Sequence, residues 1–68
     1  MKTKYDPKVD AVYIEFAKGK YDRRRKVSEG IMADEDAKGR ILGVEILDTK
    51  YNMPAFDPQK ATFQVQIT

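Results

Sequence analysis

The sequence predicts a mainly β domain, a small antiparallel meander sheet or partly open barrel of about six strands. Little helix is expected, at most a turn near Pro7. Three observations lead there. Apolar residues recur at every second position in three separate stretches and almost nowhere at helical spacing. Short clusters of Gly, Asp and Pro divide these stretches. The chain has 68 residues, one domain at most (1–68), in which surface dominates volume.

The elements follow in order. Lys2 to Tyr5 is a short strand candidate. Asp6-Pro7 then fits a turn, with Asp6 as its cap, Pro7 at its first position and Asp10 at its end. In Ala11 to Phe16, Val12, Ile14 and Phe16 share one face while Tyr13 and Glu15 take the other. Lys18-Gly19-Lys20 supplies a glycine for a tight reversal, and so does Ser28-Glu29-Gly30. Between and after them, Arg23 to Val27 and Ile31 to Glu35 are short strands. Asp36 to Arg40 reads as a hairpin loop. In Ile41 to Leu47, Leu42, Val44 and Ile46 alternate with Gly43 and Glu45, and a glycine inside a strand marks a bulge or a close backbone approach. Asn52 to Pro58 is irregular. Phe63, Val65 and Ile67 alternate with polar neighbours and predict a final strand over 61–67.

An internal echo links the two ends. Tyr5-Asp6-Pro7 with Val12, Ile14 and Phe16 matches Phe56-Asp57-Pro58 with Phe63, Val65 and Ile67 at a constant offset (56 − 5 = 51). Turn-then-strand chemistry recurring by chance is one explanation. The other is a last strand that repeats the first hairpin strand and pairs across a subunit boundary, using Phe63, Val65 and Ile67 for self-association.

Composition narrows the function classes. The chain has no cysteine, hence no disulfide, thiolate nucleophile or soft metal ligand, and no histidine, the usual base near neutral pH. A small core without staples gains burial by oligomerising, so a homo-oligomer is expected, with a dimer favoured. Thirteen basic against 11 acidic residues leave a net charge of +2, too little to imply nucleic-acid binding from bulk charge. No apolar run approaches the roughly 20 residues of a membrane span, so no membrane partner is expected. The first residues, MKTKYDP, lack a signal peptide's apolar stretch. The expected address is the cytoplasm of a prokaryotic cell.

The segments TKYDPKVDAVYIEF and VSEGIMADEDAKGRILGVEILD, with their spacing, resemble domain-of-unknown-function family 2283. The residues that carry the resemblance are Tyr5, Asp6, Asp10, Val12, Tyr13, Ile14, Phe16, Gly39, Ile41, Leu42, Gly43, Val44, Glu45, Ile46, Leu47 and Asp48. It covers residues 3–48 and leaves 49–68 as a C-terminal extension. It implies a scaffold of short prokaryotic proteins with no established activity, some suspected as partners of small toxins. After Asp48, where many members continue into a short helix, Pro54, Pro58 and the expected strand depart from the pattern.

No catalytic, cofactor or metal site is expected. Asp34 and Asp36 are candidate hard-cation ligands on one strand face, but EF-hand spacing is absent and a solvated hairpin shoulder accounts for them. P-loop, dinucleotide-glycine and nucleophile-elbow patterns are missing. Glu45 is expected to pair with a cation such as Arg25 or Lys38. The basic segment Lys18, Lys20, Arg23, Arg24, Arg25 and Lys26, with Tyr21 inside it, is the main candidate contact site. One reading is phosphate binding with Tyr21 stacking on a base. The other is an edge strand protected by charge, or contact with an acidic protein partner. The leading expectation is a non-catalytic, self-associating protein-interaction module, antitoxin-like toward another small protein. The alternative is a nucleic-acid-binding module using residues 18–26.

Overall fold

The computed structural model describes residues 1–62 and 64–68. Its strands are β1 (Lys2–Asp6), β2 (Ala11–Glu15), β3 (Arg23–Ser28), β4 (Ile31–Glu35) and β5 (Ile41–Ile46), followed by a helical turn, α1 (Thr49–Asn52). All pairings are antiparallel, in one open five-stranded sheet of order β1-β2-β5-β4-β3. The fold is mainly β, as the alternation predicts.

Register sorts the side chains into rows that cross the whole sheet. Tyr5, Val12, Ile46, Ile31 and Ser28 form one inner row, and Thr3, Ile14, Val44, Ala33 and Arg25 the next. The outer face carries Lys4, Tyr13, Glu45, Met32 and Lys26, then Lys2, Glu15, Gly43, Asp34 and Arg24. Val12, Ile14 and Ala33 are buried in the inner rows, and Thr49 of α1 is buried at their end.

Four expectations change. The β2–β3 connection is not a tight reversal. Residues 16–22 cross the end of the sheet, because β5 returns to lie between β2 and β4. The Leu42 carbonyl accepts both the Phe16 and Ala17 amides, at 2.8 and 3.2 Å, so β5 has already taken the edge of β2 that a hairpin would need. A second change is Leu42 itself. Asp34 pairs with Gly43 but Glu35 with Ile41, so Leu42 is the extra residue of a β-bulge. It leaves the Val44–Ile46 row and lines a hollow with Tyr13, Glu15 and Asp34, against the loop at Gly19.

Third, α1 forms directly after Asp48, where a departure from the family pattern is expected. The prolines begin only at Pro54, beyond the last helical residue. Fourth, no strand is present among the described residues of 61–67, and the sheet has five strands. Phe63 lies outside the described residues.

Gly43 bears out both readings of a strand glycine. It adjoins the bulge, and the Tyr13 ring lies across it: a Cβ there would meet Tyr13 Cζ at 2.6 Å and the Ile14 carbonyl at 2.8 Å. The aromatic ring supplies the packing that the missing side chain does not.

Candidate interaction surfaces

The basic run separates into two groups. Arg23, Arg24, Arg25 and Lys26 lie on β3, an edge strand, opposite the acidic β4. Arg24 grips Asp34 with two hydrogen bonds, at 2.7 and 3.1 Å, and reaches Glu45 at 2.8 Å. Arg23 and Arg25 share Glu35, at 3.2 and 2.9 Å, and Lys26 meets Glu29 at 2.9 Å. The Arg24 guanidinium holds the Asp34 carboxyl below its ordinary range, and Arg25, with Arg23, does the same to Glu35. Glu45 thus pairs with Arg24 rather than with Arg25 or Lys38. Row membership is the reason: Arg24 and Glu45 share the outer face, whereas Arg25 stands in the inner Ala33 row.

Lys18, Lys20 and Tyr21 belong elsewhere. With Lys38, Ile41 and Leu42 they line an open groove of about 520 Å³ between the β2–β3 crossing and the β4–β5 hairpin. Lys18, Lys20 and Lys38 make no ion pair among the described residues. Tyr21 is exposed and Ile41 half-exposed. The groove therefore presents unpaired lysines above an apolar floor, its two acids, Asp22 and Asp36, being paired with Arg23 and Arg40.

The two candidate cation ligands, Asp34 and Asp36, are both spoken for. Asp36 is the hinge of the β4–β5 hairpin: its Oδ1 accepts the Lys38 and Arg40 amides, both at 2.9 Å, and its Oδ2 accepts Arg40 Nε at 2.7 Å. Gly39 closes the turn at φ 79°, a left-handed conformation that glycine adopts without strain. The Arg40 backbone bond, first among these, lowers the Asp36 pKa. Asp34 faces Arg24 instead, so the two aspartates do not converge. Among the described residues no group of three Asp or Glu is placed to hold a metal.

Sequence reasoning missed one polar node. Asp6 caps the β1–β2 turn as expected, its Oδ1 accepting the Lys8 amide at 2.9 Å. Asp10 ends that turn at φ 54° but also does something further. Its Oδ1 accepts the Tyr5 hydroxyl at 2.8 Å and the Thr49 hydroxyl, and its Oδ2 accepts the Lys50 amide at 3.0 Å. Asp48, the residue before α1, makes no side-chain cap, so Asp10 caps the helical turn from across the molecule. The Thr49 bond is the main cause of the lowered Asp10 pKa, and Asp10 in turn raises the Tyr5 phenol. An Asp directly ahead of a strand was the only local signal.

The apolar surface is unevenly covered. Residues 49–56 close one end of the inner face, where Asn52 sits on Gly30 and Phe56 packs on Tyr5 with ring centroids 5.8 Å apart. Phe16 and Ile41 at the opposite end stay 48% and 47% exposed, and Val27 on the β3 edge 50%. Of the expected self-association residues, Val65 and Ile67 are 78% and 92% exposed. No described helix is long and apolar enough to cross a membrane.

Residues 2–50 match the model of a family described as protein of unknown function (DUF2283). Comparison with the curated proteins and with the solved structures gave no match. The matched span holds the whole sheet, the Asp10 node and the start of α1. The chain belongs to the DUF2283 family.

Proposed function

We propose that this chain is a non-catalytic, self-associating protein-interaction module of the prokaryotic cytoplasm, and the antitoxin-like partner of another small protein. The observation that carries this reading is the half-covered inner face. A single sheet whose buried apolar residues are Ala11, Val12, Ile14 and Ala33 leaves Phe16, Ile41 and Val27 about half exposed. A second copy laid on that end supplies the missing second layer. The groove rimmed by Lys18, Lys20 and Lys38 suits an acidic segment of the other protein, with Ile41 and Tyr21 as apolar anchors.

The carboxylates support a non-catalytic role. Asp10, Asp34, Glu35 and Asp36 are all shifted downward, away from the neutral range in which a general acid or base works. Light scattering coupled to size exclusion tests the self-association. The dimer is expected, and Phe16→Lys with Ile41→Lys is expected to return a folded monomer. A wild-type chain that stays monomeric at millimolar concentration sinks the reading.

A further inference from the structure

We infer that residues 61–68 form a strand-addition arm that pairs with the β1 edge of a second copy of this chain. The inference rests on the self-associating reading above and adds a second contact to it, at the other end of the sheet. The arm's composition is the first observation. Charged residues make up 35% of the chain, yet ATFQVQIT contains none, and its apolar and polar positions alternate. An uncharged alternating segment satisfies its backbone by joining a sheet edge.

The turn before it is the second. Asp57 Oδ1 accepts the Gln59 amide at 3.0 Å, as Asp6 Oδ1 accepts the Lys8 amide at 2.9 Å. The sequence echo thus extends to one structural feature: Asp6 and Asp57 each accept the amide two residues on, ahead of β2 and of the arm. The Asp57 carbonyl further accepts the Lys60 and Ala61 amides at 3.0 and 2.8 Å, which fixes the direction of departure.

The sheet offers two free edges, β1 and β3. At β3 an uncharged partner strand would desolvate Arg23, Arg24, Arg25 and Lys26, whose heads are each about half exposed. Charges on an edge strand act against such pairing. On β1 the charges, Lys2, Lys4 and Asp6, are confined to the outward row, while Thr3 and Tyr5 extend the apolar inner rows. The arm also leaves from that side. Phe56 packs on Tyr5, and Pro58, Ala61 and Thr62 line a hollow with Met1, Thr3 and Tyr5.

Within one chain Pro58, Ala61 and Thr62 share that hollow with Thr3 and Tyr5 of the inner rows, and the described residues of 61–68 form no strand. Edge pairing lies in the plane of the sheet. Two copies related by a two-fold axis place each arm beside the other's β1, and the exchange is reciprocal.

Hydrogen exchange on the intact chain tests this. The β1 amides not bonded to β2 should be slowed roughly tenfold or more as concentration rises through the dimerisation range. A chain ending at Lys60 should lose that slowing. Gln66→Pro, which removes one backbone donor from a full-length arm, guards against a truncated chain that fails to fold. Slowing that does not depend on concentration means the arm pairs with its own β1, and overturns the proposal. Slowing at β3, or none anywhere in the wild-type chain, overturns it too. In that last case a dimer that Phe16→Lys with Ile41→Lys still dissociates keeps the self-associating reading alive without the arm.

Discussion

Asp10 and Thr49 meet across 39 residues of sequence, the Thr49 hydroxyl donating to Asp10 Oδ1 while Oδ2 of the same carboxylate takes the Lys50 amide at 3.0 Å. One side chain thereby ends the β1–β2 turn and starts the helical turn that covers the inner face. Asp10→Ala should lower Tm by on the order of 5 °C. It removes the cap of α1 and leaves a β-carbon without local hydrogen bonds in a left-handed conformation. Asp10→Asn tolerates that conformation and keeps an acceptor, so its loss should be smaller. Thermal unfolding of the two variants separates the backbone effect from the cap; equal losses would mean that the charge alone matters.

The strands were legible because burial on one face imposes a period of two. Val12 with Ile14, and Val44 with Ile46, follow it. The connections were not legible to the same degree. Lys18-Gly19-Lys20 has hairpin chemistry, yet β2 already pairs with β1 on one side and β5 on the other, so the chain must cross to the far edge. That competition is non-local and leaves no mark in the loop. Leu42 was misplaced for a related reason: a bulge shifts alternation by one residue, and Gly43 signalled the bulge without showing which residue it displaces. In the basic run, alternation puts Arg24 on the face opposite Arg23 and Arg25. The matching carboxylates lie 10 to 21 residues away and emerge only from the register.

Tyr13 over Gly43 gives a coupled prediction. Gly43→Ala should destabilise by about 1–3 kcal/mol, because the new methyl meets both a ring and a fixed carbonyl. Tyr13→Ala removes the ring but leaves the Ile14 carbonyl 2.8 Å from that position. In the double variant part of the Gly43→Ala cost should therefore disappear, and part should remain. Urea unfolding of the four proteins of the cycle measures the coupling, and strict additivity would mean that the carbonyl alone sets the cost.

The pH dependence has a definite sign at each end. Asp10, Asp34, Glu35 and Asp36 have folded pKa values below their unfolded ones, so the folded state holds fewer protons. Their stabilisation is complete above the unfolded carboxylate range near pH 4 and fades as pH falls through the folded values. Tyr5 and Tyr13 are raised, Tyr5 by its bond to Asp10 and Tyr13 by burial and the Asp34 carboxylate. Their contribution is complete below the unfolded phenol range near pH 10 and fades as pH rises through the folded values. Tm should hence form a plateau between these limits. Glu35→Gln should flatten the acid limb, and an acid limb identical to wild type would contradict the assignment.

The last prediction concerns phosphate. Arg23, Arg24 and Arg25 are held by Glu35, Asp34 and Glu45, and a nucleic acid must break those pairs before it gains its own. Each broken pair returns a partly buried carboxylate to an uncompensated state, so the counterion-release gain is offset strand by strand. Neither duplex DNA nor single-stranded RNA should be retarded in a gel at about 50 mM salt. Arg23→Ala with Arg24→Ala and Arg25→Ala should lower Tm and leave that negative result unchanged, since its effect is on the β3–β4 pairing. A retarded band that weakens steeply with salt and vanishes in the triple variant would show that these guanidiniums serve a ligand rather than the sheet. If the band vanishes instead in Lys18→Ala with Lys20→Ala, the contact lies in the groove, where the cations are free.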